Sequence, residues 1–205
     1  MKGRIIVELK VLFSCCLLTL SASMCLAQAP PSKTNLTTRD REAWRKVLRW
    51  PDELEQQWKR SRIDNNSEQG GLIFHSLGQD KYLVVINVAE SSYQSGYIFM
   101  HYDEASKSST PARLLKLKTY ERDDDDGHIS TRLAREIEGL PTFDPAKKQL
   151  VVYTMGRGTG DCGSLVRYTI TPKRAVPIEA RVHACYDDYS LGVLDPLRWR
   201  RVKRL

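Results

Sequence analysis

The sequence predicts a mainly β, α+β fold: an antiparallel meander or sandwich-like body with two short N-terminal helices and one disulfide. Three observations predict it. After Gly71 the hydrophobic period shortens from the helical value to two. The β-branched and aromatic runs that follow are joined by connections too short for parallel crossovers. Only two cysteines, Cys162 and Cys185, remain once an N-terminal processing signal is set aside.

That signal opens the chain. Lys2, Arg4 and Lys10 form a positive region, and "VLFSCCLLTL" (residues 11–20) is an apolar run of signal-peptide length. "SASMCLA" then puts Cys25 and Ala27 at the −3 and −1 positions of a cut before Gln28. Met24 before Cys25 does not fit a lipoprotein signal. An uncleaved anchor is the alternative, because residues 11–29 carry no charge and approach the length of a membrane span. The expected organisation is a signal peptide over 1–27, a mobile polar leader over 28–37 and one β-rich domain over 38–205. Cys15, Cys16 and Cys25 leave with the signal, so an exported chain would pair Cys162 with Cys185.

Charge adds a second consequence of cleavage. The mature chain carries 29 Lys and Arg against 24 Asp and Glu. Five of the positive charges, Arg198, Arg200, Arg201, Lys203 and Arg204, lie in the tail over 198–205. Without them the body is balanced, so the basic character belongs to the tail. The tail is a candidate for weak contact with an anionic envelope surface, or simply a solvated terminus. A secreted location argues against nucleic acid.

Helical spacing begins at Thr37-x-x-Asp40, a capping-box-like start, with Trp44, Val47 and Leu48 on one face. Pro51 is expected to open a second helix at its first position, with Leu54 and Trp58 four apart among the charged Glu53, Glu55, Lys59 and Arg60. The tryptophans Trp44, Trp50, Trp58 and Trp199 read as packing residues rather than a sugar platform. "SRIDNNSEQGG" is a loop by composition. Then "LIFHSL", "YLVVINV", "GYIFMHY" and "ARLLKLKTY" read as four strands on short turns. "HISTRLAREIEG" reads as a short helix, with Leu133 and Ile137 paired and Gly139 and Pro141 ending it. "QLVVYTM", "SLVRYTIT" and "PIEARVHAC" are again strand-like, with "FDPAKK" turning into the first.

The motifs with the spacing of chemical sites mostly fail on their context. Gly158-x-Gly160-x-x-Gly163 has dinucleotide-loop spacing, but "SLVRYTIT" after it alternates with period two and cannot open the helix a pyrophosphate needs. No nucleotide or other cofactor is expected. Gly156, Gly158, Gly160 and Gly163 instead fit a tight bulged bend. Cys162 as a nucleophile would need a thiolate and a base such as His183, whereas oxidation onto Cys185 removes the thiol. One tension attends that pairing: by strand alternation Cys162 shares the parity of the apolar Val166, Tyr168 and Ile170, whereas Cys185 shares that of Glu179, Arg181 and His183. Asp123, Asp124, Asp125 and Asp126 are weak calcium candidates, because EF-hand spacing to Gly127 puts Arg122 first and Leu133 where the bidentate glutamate belongs. His75, His101, His128 and His183 lie on separate segments without zinc spacing. No G-x-S-x-G elbow occurs, and no carboxylate pair stands out.

"FDPAKKQLVVYTMGRGTGDCGSLVRYTI", followed by Cys185 and a late tryptophan, resembles the bacterial family catalogued as domain of unknown function 1176. The resemblance covers roughly residues 140–200, and "GRGTGDCG" is its specific part. It implies an exported or envelope protein, and it supplies no catalytic residues to carry over. The expected function is a periplasmic, non-enzymatic binding protein that engages or inhibits another envelope protein. The alternative is an envelope hydrolase using carboxylates that the sequence does not identify.

Overall fold

The computed structural model describes residues 31–33, 35–61, 70–122, 127–185 and 194–205. The signal over 1–27, most of the "SRIDNNSEQGG" loop and the run Asp123–Asp126 lie outside these residues. The described chain is mostly antiparallel sheet with two helices and one disulfide, Cys162–Cys185. Its sheets are open, and they do not close into a barrel.

Helix α1 (Arg41–Leu48) and helix α2 (Asp52–Ser61) come first. The start of α1 falls later than the capping box implied. Asp40 occupies the N-cap but turns its carboxylate back to Thr37, accepting from the Thr37 backbone N–H at 2.6 Å. Arg49 adopts a left-handed conformation (φ 60°) and ends α1, and Pro51 then directly precedes α2. Two residues of the polar leader reach the fold. Lys33 pairs with Asp80 at 2.7 Å, and the Trp44 indole donates to the Thr37 carbonyl at 2.9 Å.

Strands β1 (Leu72–Gly78), β2 (Lys81–Ala89) and β3 (Ser95–Asp103) form the expected meander. Strand β2 is buried on both faces, which explains its unbroken apolar run. Val84, Ile86 and Val88 face a core shared with Trp44, Leu48, Phe74 and Ile98 beneath the helices. Leu83 and Val85 face a second, larger core with Phe99, Leu150, Val166 and Tyr168.

The fourth run is two strands, not one. β4 (Ala112–Leu115) pairs with the outer half of β3, and β5 (Leu117–Arg122) leaves the sheet after Lys116. β5 pairs with β6 (Ile129–Ala134) in a separate two-stranded sheet. Leu117, Tyr120 and Ala134 close the larger core from that side, and Tyr168 Oη donates to the Lys118 carbonyl at 2.9 Å.

The helix expected over "HISTRLAREIEG" does not form. Those residues supply β6 and the start of β7 (Glu136–Asp144). Leu133 and Ile137 do not share a buried face: Leu133 is 68% exposed and Ile137 is buried. Gly139 is not a helix cap but a strand residue (φ 153°) whose added Cβ would sit 2.6 Å from the Tyr153 carbonyl oxygen. Pro141 is tolerated because β7 pairs with β3 only over Glu136–Gly139, leaving the edge beside Pro141 without a β3 partner.

β8 (Gln149–Met155), β9 (Gly163–Ile170) and β10 (Ala175–His183) complete the sheet in sequence order. The basic tail is not a loose terminus. A short 3-10 turn (Pro196–Arg198) leads to β11 (Arg200–Arg201), which pairs with Arg181 and Val182 of β10. Trp199 and Val202 are buried on either side of it. Its five cations stay exposed.

Candidate functional site

The bend between β8 and β9 is the most densely pinned loop among the described residues. Met155 and Gly163 form the last strand pair, and the Gly156 N–H donates to the Cys162 carbonyl at 2.9 Å. The parity tension disappears because neither cysteine lies in a strand. Cys162 precedes β9, and Cys185 follows β10 by two residues. Their Cα atoms are 4.9 Å apart.

Two glycines are dictated by this geometry. Gly163 sits at φ 132°, and a Cβ there would overlap the Thr154 carbonyl oxygen. At Gly156 a Cβ would lie 2.5 Å from the Cys185 sulfur, so the disulfide itself excludes a side chain. Gly160 is left-handed, while Gly158 faces open space with only Tyr93 nearby. Strand β9 begins at Gly163 itself, so the chain after the glycines runs as a strand and opens no helix behind the loop.

Four further contacts lock the bend. Arg157 and Asp161 form a bidentate ion pair, with Arg157 Nε donating to Asp161 Oδ1 at 2.7 Å. Thr159 Oγ1 donates to the same oxygen at 2.6 Å. The Arg157 and Thr159 donors together hold the Asp161 carboxyl well below the usual carboxylate range. Tyr153 Oη donates to the Gly160 carbonyl at 2.5 Å. Across the base, buried Gln94 acts as a substitute strand: its Nε2 donates to the Met155 carbonyl at 3.0 Å, and its Oε1 accepts from the Met155 N–H at 2.9 Å. Next to Gln94, Tyr93 is 48% exposed, against the open side of Gly158. Gly158 and Thr159 are exposed as well.

A cleft of about 660 Å³ opens beside the bend. Tyr120, Arg122 and Arg132 line it from the β5–β6 hairpin, Glu136 and Glu138 from β7, and His183 from β10. Glu136 and Glu138 are two apart on one strand and therefore share a face. Gln57 Nε2 of α2 donates to Glu136 Oε1 at 2.7 Å. The His183 Nδ1 lies 2.8 Å from the Ala184 carbonyl, which assigns the proton to that nitrogen. Tyr120 is buried, its hydroxyl has no hydrogen-bond partner among the described residues, and burial raises the phenol above its usual range.

The other sequence candidates lie apart. His75 stacks on Phe143 at 4.7 Å between ring centroids, and His101 is buried on β3. Among the described residues no group of three His, Cys, Asp or Glu could hold a metal ion. All four tryptophans are buried, Trp199 with its centroid 5.7 Å from Tyr153.

Sequence reasoning missed two features. Gln94 and Tyr93 lie in "ESSYQSG", where composition speaks only of a turn. Glu55, named only among the charged residues around Leu54 and Trp58, is buried together with Arg41. Arg41 Nε donates to its Oε2 at 2.9 Å, and the guanidinium lies 4.4 Å from the Trp58 ring centroid. Trp50 Nε1 also donates to Glu55 at 3.2 Å, so the carboxylate is held by an arginine and an indole.

Comparison with known families matches residues 21–201 to the family described as protein of unknown function (DUF1176). The chain belongs to the DUF1176 family. The match extends well beyond the 140–200 segment that carries the sequence resemblance, and takes in the helices and the meander of this DUF1176 chain. No curated protein and no solved structure matches it.

Proposed function

We propose that this DUF1176 chain is an exported, periplasmic or secreted binding protein that acts without catalysis, engaging or inhibiting another envelope protein through the Tyr93–Gly158–Thr159 crest. One observation carries the proposal: an exposed aromatic stands against a bend fixed by a disulfide, a bidentate ion pair and the Gln94 clamp. Rigid loops lose little entropy on association, and aromatic anchors dominate interface energetics. Export is supported by the charged-then-apolar start of the chain and by the disulfide. No helix among the described residues is long and apolar enough to cross a membrane. The five tail cations would add weak attraction to an anionic envelope surface.

The test places a benzophenone amino acid at position 93 in living cells. A discrete adduct at 93, absent when the probe stands at the distant exposed Lys107, is expected. Equal labelling at both positions, or none at 93, refutes the binding surface.

A hydrolase is the second reading, favoured by Glu136, Glu138 and His183 sharing one cleft. Hydrolysis of envelope polymer that disappears in the Glu136→Gln, Glu138→Gln double variant would select it over the binder.

A further inference from the structure

A second concavity, about 450 Å³, lies between the β9–β10 turn and the outer side of β4, β5 and β6. Its floor is apolar: Leu114, Leu133 and the first residues of β10, from Ala175 to Pro177. Its rim is cationic: Lys116, Lys118, Lys173 and Arg174. No carboxylate lines it, and none of the four cations forms an ion pair with a described residue. By contrast, the cleft beside the bend mixes both signs of charge.

The fold leaves this groove uncovered for a local reason. Lys116 is where the chain turns out of the main sheet; the cross-strand pair Leu117–Ala134 joins the larger core, and the next pair, Lys118–Leu133, takes the opposite face. Leu133 is the most exposed large apolar residue described. Lys118, its cross-strand partner, reaches to 5.4 Å from the Tyr120 ring centroid. Four cations over a low-dielectric wall focus positive potential, and the leucines beside them favour an alkyl chain over water.

We infer that this groove binds a single-chain amphiphilic anion, a long-chain carboxylate whose alkyl chain lies along Leu114, Leu133 and the start of β10. The carboxylate head sits among Lys116, Lys118, Lys173 and Arg174. Charge complementarity selects the anion, the apolar floor selects a chain over a small anion, and concavity selects one chain over a bilayer surface. The basic tail plays no part, because β11 pairs at Arg181 and Val182, near the opposite end of β10. The inference is independent of the partner-binding reading.

Titration calorimetry with dodecanoate below its aggregation threshold tests the inference. One-to-one binding is expected, with dodecanol and acetate each binding far more weakly. The Lys118→Glu, Lys173→Glu double variant should weaken binding by about tenfold or more, as reversal of close charge pairs does. Leu133→Asp should also weaken it, while Lys107→Glu should not, and near-ultraviolet circular dichroism confirms that each variant is folded. Absent dodecanoate binding overturns the inference, as does binding indifferent to both groove variants. So does preferential binding of anionic phospholipid vesicles or of polyglutamate, since either would identify a different class of ligand.

Discussion

Replacing both cysteines by alanine (Cys162→Ala, Cys185→Ala) isolates what the staple contributes. The bridge spans a sequence separation of 23. On the chain-entropy model a loop of this size stabilises the fold by about 3 kcal/mol. For a domain of this length that corresponds to a fall in Tm of roughly 6–12 °C. The fold should survive, because β8, β9 and β10 remain paired and the Gln94, Tyr153 and Arg157 contacts hold the base of the bend. The loosened region is therefore local: the Gly156 N–H, which donates to the Cys162 carbonyl, should lose protection against hydrogen exchange while Val152 and Val166 keep theirs. Thermal melts by circular dichroism, with and without reductant, measure the first effect, and amide exchange the second. An unchanged Tm in the double variant, or uniform loss of protection across β8 and β9, would refute the reasoning.

Four other outcomes are expected. Gly163→Ala drives a Cβ into the Thr154 carbonyl and should cost several kcal/mol, about 2–4, by urea denaturation; a loss below about 0.5 kcal/mol would contradict the crowding. Glu55→Ala strips a carboxylate from buried Arg41 and should destabilise by about 3–5 kcal/mol, and a near-neutral result would show that the pair is not a buried structural unit. Burial lowers both His75 and His101 below the ordinary imidazole value, with Lys81 and Arg113 adding to the lowering at His101 and Asp103 opposing it. The unfolded chain therefore takes up these protons first, so stability is full above about pH 6.5 and falls with pH down to the folded-state values; a urea midpoint flat between pH 7 and 5 would contradict it. Neutralising Arg200, Arg201, Lys203 and Arg204 to glutamine should reduce retention on anionic envelope fractions while leaving Tm nearly unchanged, because those side chains are exposed whereas Trp199 and Val202 hold the segment.

Much of the fold was legible where alternation and turn chemistry coincide. The β1–β3 meander and β8–β10 follow period-two runs whose apolar residues face one of two cores. The segment 128–139 misled because Leu133 and Ile137 mimic helical spacing, and Gly139 with Pro141 mimics a helix stop. Tertiary context reversed both signals: Leu133 lies on an outer face, and the close approach of Tyr153 requires the glycine. The cysteine pair was legible by elimination, whereas strand parity argued against it, since parity has no meaning beyond a strand end. The Tyr93–Gly158–Thr159 crest was not legible. Tyr93 and Gly158 are 65 residues apart in sequence, and the Gln94 clamp joins their loops in the folded chain. The cleft was equally hidden, because its carboxylates and His183 come from strands that meet only in the folded sheet.

The central claim is that the stapled bend holds Tyr93 ready for a partner. The yield of the position-93 photo-adduct, compared between the disulfide-intact chain and the Cys162→Ala, Cys185→Ala variant at a temperature where both are folded, tests it most directly. A several-fold fall in yield is predicted, because an unlocked bend must be ordered before it binds. Equal yields from the two chains would contradict the claim.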